Sequence, residues 1–206
     1  IRLSLVGSGD VYKRQPADCP GTAERGVDRH DPGTGERLNR LRAAVLGAND
    51  GIVSTAAVVV GVAGATSDAT TIAMSGLAAV IGGAVSMALG EYVSVSSQRD
   101  SERAMGLAEE MQVNPWSAAI ASFLSFLLGA ALPFATALLA PASWRIAAIF
   151  VLTLVALALT GALSAKLGEA PVARSVARIV VGGTIALAAT FAIGSLVGAN
   201  VGKKNH

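Results

Sequence analysis

The stretch that decides the fold is residues 41–64, which read LRAAVLGANDGIVSTAAVVVGVAG. This stretch can cross a bilayer, because a membrane-spanning helix needs about 20 mostly apolar residues. It nevertheless contains the polar residues Asn49 and Asp50. A carboxylate within hydrocarbon is costly, so one that is kept there usually faces a partner, water or a passing ion. We therefore predict a functional role for Asp50; the alternative is a structural acid bonded to the backbone or to an asparagine.

A second acid, Glu91, lies in a similar context, in GGAVSMALGEYVSVSSQRD at residues 82–100. Asp50 follows Arg42 by eight residues, and Glu91 precedes Arg99 by eight. At about 1.5 Å per residue, both carboxylates are expected roughly 12 Å from the same edge of the membrane. If the two helices pack as antiparallel neighbours, the acids lie at one depth. The alternative for Glu91 is a merely interfacial position.

The composition places the chain among integral membrane proteins. Of its 206 residues 52% are hydrophobic and 15% are charged, and the mean hydropathy is +0.57. A formal net charge of +2 does not favour a nucleic-acid partner. The single cysteine, Cys19, excludes an internal disulfide, and the absence of a Cys/His cluster argues against structural zinc. No histidine lies in an apolar span, so an intramembrane protease is not expected and we predict no enzymatic activity.

Five apolar spans come after a polar N-terminal segment, and each is long enough for the hydrocarbon core. They cover residues 43–65, 71–95, 116–139, 144–165 and 179–201. Asn114 and Pro115 precede the third span as a helix cap followed by a first-turn proline. Pro133 is expected to bend or end that span. The predicted fold is all-α: a polytopic membrane protein with five transmembrane helices.

The positions of these spans define the domain organisation. Residues 1–40 are rich in Gly, Pro, Asp and Arg without a helical period, and we predict a disordered cytosolic tail. Residues 1–15 share no pattern with the remainder of the chain and are interpreted as an artefact. Residues 41–201 form the predicted transmembrane domain, and residues 202–206 a short C-terminal tail.

Basic residues predict the orientation in the membrane. With five spans, one side carries Arg25, Arg29, Arg37, Arg40, Arg42, Arg99, Arg103, Lys166, Arg174 and Arg178. The other side carries Arg145, Lys203 and Lys204. Because cytoplasmic loops are enriched in Lys and Arg, the N-terminus is expected in the cytoplasm and the C-terminus outside. The expected location is the inner membrane of a bacterium.

The side chains near the two acids suggest a metal path. Met87 precedes Glu91 by four residues and therefore shares its helix face, which Ser94 continues. Carboxylate oxygens with a thioether suit Fe²⁺ or Mn²⁺ better than Mg²⁺ or Ca²⁺. We predict metal binding at Asp50, Met87 and Glu91, in a path lined by Asn49, Ser54 and Ser94. Taken alone, Met87 would more often be a packing residue.

The acids would also handle protons. A carboxylate that loses its metal ion in the membrane would take up a proton, because a bare charge is costly there. The pair therefore suits exchange of a metal ion for protons. Two other functions stay open: a proton-coupled exporter of an organic cation, which expects aromatic walls, and a non-transporting membrane scaffold.

Three stretches resemble the vacuolar iron transporter family: VLGANDGIVST at residues 45–55, GGAVSMALGEYVSVSSQRDSERA at 82–104, and NPWSAAIASFLSFLLGAALPF at 114–134. The resemblance implies a homodimer of five-helix protomers. It also implies an ion path between the subunits, lined by the first two helices. Members move Fe²⁺, and often Mn²⁺, out of the cytosol in exchange for protons.

The resemblance carries over to single residues. Asp50 matches the first-helix aspartate of the path, and Met87 matches the second-helix methionine. The eukaryotic branch uses a further glutamate at the position of Ala79, and Glu91 is expected to substitute for it. No resident cofactor is implied, since the metal is the transported ion.

The connection between the second and third spans departs from the family pattern. Many members carry a cytosolic helical metal-binding module there, and residues 100–113 are too short for one. A nodulin-like branch also lacks the module. The loop residues Glu102, Glu109, Glu110 and Met111 are candidate remnants that could still bind metal; the alternative is a solvated charge run.

Overall fold

The computed structural model describes residues 32–106, 109, 112–168 and 170–204. Within these residues the chain forms five α-helices and no strand, and each helix is long and apolar enough to cross a membrane. The helices are α1 (Pro32–Ala65), α2 (Ala69–Ala104), α3 (Pro115–Leu139), α4 (Arg145–Leu167) and α5 (Val172–Lys204). The prediction of an all-α protein with five transmembrane helices is confirmed.

Three helices extend well beyond the predicted apolar spans. Helix α1 begins at Pro32, inside the segment predicted to be a tail, α2 continues to Ala104, and α5 begins at Val172. Hydropathy marks only the part of a helix that crosses hydrocarbon, whereas its backbone hydrogen bonds continue into water equally well. The tail prediction for residues 1–31, which include Cys19, lies outside the described residues.

The start of α3 was predictable, but its passage through a proline was not. The side chain of Asn114 accepts hydrogen bonds from the N–H groups of Trp116 (3.0 Å) and Ser117 (3.4 Å). With Pro115 in the first turn, this geometry confirms the predicted cap. The expectation was that Pro133 bends or ends this helix. Helix α3 continues to Leu139, so Pro133 does not end it, and the bend stays a prediction. Membrane helices tolerate proline because neighbouring helices satisfy the freed backbone groups.

A second cap, Asp68, ends the connection between α1 and α2. Its carboxylate accepts hydrogen bonds from the hydroxyl (2.5 Å) and the N–H (2.7 Å) of Thr71. These two bonds, that of the hydroxyl first, hold the pKa of the Asp68 carboxyl below its ordinary value. Asp68 is therefore an exposed structural acid at the far end of α1 from its arginines.

Helix α1 is the centre of the bundle and contacts all four other helices. Small residues allow these contacts to be close. A Cβ atom added at Gly51 would overlap the carbonyl oxygen of Phe126 in α3, and one added at Gly194 in α5 would overlap the carbonyl oxygen of Gly61. The main buried apolar cluster comprises Ala56, Val59, Val60, Ile72, Ala137, Ile149 and Leu187.

Helix α2 is covered only in part by the other helices. Only Ile72, Gly76, Ala84, Glu91 and Val95 are buried along its length. Its outer face exposes the large apolar side chains Met74, Leu77, Ile81, Val85, Leu89 and Val93. On the same helix, Gly82 and Gly90 have open space where a side chain would stand. This face is free to meet lipid or another helix.

Candidate metal-transport groove

A groove between α1 and α2 contains all three residues predicted to bind metal. Asp50 and Ser54 line it from α1, and Met87 and Glu91 line it from α2. Its volume is about 440 Å³. The remaining lining is small or apolar and consists of Leu46, Val58, Ala79, Gly83, Ser86 and Gly90. The structure thus brings Asp50, Met87 and Glu91 together, while metal binding itself stays a prediction.

Three consecutive residues of α1 face three different neighbours, because a helix turns about 100° per residue. Gly51 lies against the backbone of Phe126 in α3. Asn49 accepts a hydrogen bond of 2.6 Å from the hydroxyl of Thr160 in α4. Asp50, between them, faces the groove and is exposed on the single chain. The contacts of its two neighbours therefore orient the Asp50 carboxylate.

Asp50 and Glu91 do not lie at one depth, contrary to the expectation from the sequence. Ala43 of α1 and Val95 of α2 share one buried cluster, which sets the antiparallel register of the two helices. Seven residues beyond Ala43, Asp50 is level with the Met87 region of α2. Glu91 lies one helical turn, about 6 Å, closer to the end where α1 begins. The expectation assumed that Arg42 and Arg99 mark the same depth. In this register Arg99 lies about three residues closer to that end than Arg42.

Glu91 forms an ion pair across the two helices. Nη2 of Arg42 lies 2.5 Å from Oε1 of Glu91, and it also donates to Oδ1 of Asn39 at 3.2 Å. The Glu91 side chain is 5% exposed and that of Arg42 is 54% exposed. A buried carboxylate next to a guanidinium is already neutralised. Glu91 is therefore an ion-paired carboxylate in this structure, and metal binding at Glu91 stays a prediction.

Two residues predicted to line the path lie elsewhere. Asn49 is bonded to Thr160 and borders a separate cavity between α1, α4 and α5. Ser94 is exposed and is not part of the groove lining. Ser54 does line the groove, and its hydroxyl donates to the backbone carbonyl of Asp50 at 2.6 Å. That bond places the Ser54 hydroxyl beside the acid-bearing turn.

Two of the acids predicted in the loop have protein partners, and one of them, Glu102, lies in the last turn of α2. Glu102 accepts hydrogen bonds from the N–H of Val113 (3.0 Å) and from the amide of Gln98 (2.8 Å). A carboxylate oxygen of Glu109 lies 3.9 Å from both Arg99 and Arg103. In the described part of the chain, no three His, Cys, Asp or Glu side chains form a group that could hold a metal ion. Glu110 and Met111 lie outside the described residues.

Sequence reasoning missed Arg42 and Thr160. The signal for Arg42 was present: it precedes Asp50 by two helical turns, so both residues lie on the α2-facing stripe of α1. Thr160 gave no signal, because a single threonine in an apolar span is common. Its importance comes only from the packing of α4 on α1.

The groove offers few but specific ligand atoms. Asp50 supplies carboxylate oxygens and Met87 a thioether at the same level, and the groove lining includes neither histidine nor cysteine. Mixed oxygen and sulfur donors are acceptable to Fe²⁺ and Mn²⁺, whereas Mg²⁺ and Ca²⁺ require oxygen. One aspartate and one methionine leave coordination positions open for water or for ligands from a second chain.

Comparison with known proteins decides the family. The sequence profile of the VIT family matches residues 41–113 and 103–195, which together exceed half of the chain. This chain is a member of the VIT family. The VIT-family match includes every residue that lines the groove.

Two plant relatives are similar over most of their length. "Vacuolar iron transporter homolog 1" of Arabidopsis thaliana is 45% identical over 171 residues, covering 79% of this chain and 86% of that protein. "Vacuolar iron transporter homolog 5" of Oryza sativa subsp. japonica is 45% identical over 166 residues, covering 76% of this chain and 80% of that protein. With its five spanning helices, this VIT-family chain is an integral membrane transporter and not an enzyme.

Proposed function

We propose that the chain exports Fe²⁺ and Mn²⁺ from the cytosol in exchange for protons, along a path lined by α1 and α2. The observation that carries the proposal is the common groove of Asp50, Met87 and Glu91. Iron as the cargo is supported by the relatives, which are named vacuolar iron transporter homologs. The arginine-rich end of the bundle then faces the cytosol, and the bacterial plasma membrane is the location we propose.

Asp50 is the central ligand in this proposal. It is the acid of the groove that no ion pair neutralises within the described residues. A divalent cation that reaches Asp50 meets the sulfur of Met87 at the same level, which favours softer transition metals. When the metal leaves, a proton neutralises the carboxylate, because an unpaired charge is costly in hydrocarbon. Alternation between metal and proton on one carboxylate is the basis of antiport.

Glu91 lies at the end of the groove where a metal ion enters from the cytosol. It lies one turn closer to that end than Met87 and is held by Arg42. A divalent cation can replace the guanidinium as the partner of Glu91, since both are positive charges. Displacement of Arg42 then admits the ion to the deeper site at Asp50. Glu91 is then the first ligand that the metal ion meets, and Arg42 competes with the metal ion for it.

A second copy of the chain completes the path. Asp50 is exposed on the single chain, and an isolated acid facing lipid would be unfavourable. The open positions at Gly82 and Gly90 of α2 let another helix approach closely. We propose that two α2 helices meet on this face, so that two grooves enclose one path between the subunits.

The alternative of an organic-cation exporter has less support. Aromatic walls favour organic cations through cation–π contacts, and no aromatic side chain lines the groove. A non-transporting scaffold does not explain why the Asp50 carboxylate lies beside Met87 in the groove. Neither alternative gains a specific observation from the structure.

The test is a flux assay in proteoliposomes with an acidic lumen. We expect the protein to accelerate uptake of Fe²⁺ and Mn²⁺, with uptake of Zn²⁺ slower because no histidine lines the groove. A pH-sensitive dye in the lumen should report loss of protons in step with metal uptake. Uptake equal to that of protein-free liposomes would overturn transport, and uptake indifferent to the pH gradient would overturn antiport.

A further inference from the structure

A second cavity opens at the arginine-rich end of the bundle, between α1, α4 and α5. Its volume is about 500 Å³. Arg42 of α1 and Arg178 of α5 both line it, and none of the described residues that line it is an Asp or Glu. Much of the remaining wall is apolar, with Leu41, Leu167 and Ile179 among its side chains. The cavity thus combines two guanidinium groups with an apolar wall.

Of the two arginines of this cavity, Arg42 has a carboxylate partner and Arg178 has none among the described residues. Arg178 is exposed and forms no ion pair with any residue in the part of the chain that the structure describes. Arg42 has one carboxylate partner, Glu91, which lines the neighbouring groove between α1 and α2. Arginine pairs hold phosphate groups well, because each guanidinium presents several donors in a fixed plane.

The position along the helices indicates what kind of phosphate fits. Arg178 immediately precedes Ile179, where the last predicted apolar span begins. Its guanidinium therefore lies at the level of lipid headgroups, with the apolar wall extending towards the acyl chains. Basic pockets between transmembrane helices suit anionic lipid headgroups in this way. A free phosphate ion would leave the apolar wall without a partner.

We propose that this cavity binds an anionic phospholipid whose phosphate contacts Arg42 and Arg178, and that the lipid competes with Glu91 for Arg42. Arg42 is the link, because it lines the lipid cavity and also donates to Glu91. A guanidinium drawn towards the phosphate leaves Glu91 free to face the groove. This competition deepens the proposed function by setting when the entry carboxylate is available, whereas lipid binding does not depend on it.

Lipid binding is tested on the full chain in a neutral detergent. Native mass spectrometry counts bound phosphatidylglycerol, with phosphatidylcholine as the uncharged-headgroup comparison. We expect tighter binding of phosphatidylglycerol, weakened about fivefold by Arg178→Gln, since one arginine near the surface contributes about 1 kcal/mol. Arg174→Gln is the matched control, because Arg174 lies one turn away on α5 outside the cavity.

Three results would overturn the lipid site. They are equal binding of the two lipids, an unchanged affinity in Arg178→Gln, and full competition by inorganic phosphate at millimolar concentration. The last result would assign the arginines to a free anion.

The competition for Arg42 is tested by chemistry at Glu91. A hydrophobic carbodiimide labels carboxyl groups, and peptide mass spectrometry measures labelling at Glu91. We expect phosphatidylglycerol to raise labelling of Glu91 severalfold in the wild-type chain and in Arg174→Gln, and much less in Arg178→Gln. Labelling indifferent to phosphatidylglycerol would overturn the competition. A failed flux assay together with responsive labelling would overturn the proposed function and leave this inference standing.

Discussion

Arg42 and Glu91 join helices α1 and α2 through an ion pair of 2.5 Å between Nη2 and Oε1. The carboxylate is buried and the guanidinium is about half exposed. In the transport that we propose, this pair serves two purposes. It neutralises a membrane acid while no metal is present, and it breaks when another cation takes the place of the arginine.

A double-mutant cycle measures how strongly the pair holds the two helices together. Arg42→Gln and Glu91→Gln should each lower the free energy of unfolding, and the double variant should lose less than their sum. We expect a coupling on the order of 1 kcal/mol, since the exposed guanidinium is screened by solvent. Arg40→Gln, which removes an exposed arginine two residues away, should show no coupling with Glu91→Gln. Additive losses for Arg42 and Glu91 would contradict the pair.

Gly51 sets the distance between α1 and α3. Gly51→Ala should destabilise the fold by about 2 kcal/mol, because the added methyl group would overlap the backbone of Phe126. Thermal unfolding in detergent measures the loss. Gly35→Ala is the control, since no atom lies within 4 Å of a Cβ at Gly35. Equal stability of the two variants would show that α3 does not pack as closely as described.

The hydrogen bond between Asn49 and Thr160 connects α1 to α4. Thr160→Val should cost about 1 kcal/mol of unfolding free energy, because the amide of Asn49 loses its partner from the other helix. Thr184→Val is the matched control, since the Thr184 hydroxyl bonds only to its own helix. The prediction fails if the two valine variants unfold at the same temperature.

The open face of α2 is where we expect the second subunit. Gly82→Leu should convert the dimer to a monomer, because the new side chain prevents close approach of two helices. Gly182→Leu on α5 is matched, since Gly182 also has open space around it. Mass photometry or cross-linking distinguishes the two states. A dimer that survives Gly82→Leu would move the subunit contact to another face.

The apolar spans, the Asn114 cap and the helix face that Met87 shares with Glu91 could be predicted from residue pattern alone. Hydropathy and helical period determine these features directly. The start of α1 at Pro32 could not, because a polar helix outside the membrane has no hydropathy signal. Each of the features that could be predicted depends on the residues of a single helix.

Contacts between helices were harder to predict. The pairing of Glu91 with Arg42 depends on the rotamer of the arginine. The depth of Glu91 relative to Asp50 depends on the register between α1 and α2. No residue pattern within one helix carries that information.

The most direct measurement is Fe²⁺ and Mn²⁺ flux through Asp50→Asn in proteoliposomes with an acidic lumen. The amide keeps the shape of the side chain and removes its charge, so the groove loses its free carboxylate. Asp68→Asn is the matched control, because Asp68 is an exposed cap that asparagine replaces well. We expect Asp50→Asn to abolish metal uptake and coupled proton loss, and Asp68→Asn to retain both. Wild-type flux through Asp50→Asn would show that Asp50 is not the central ligand of the path.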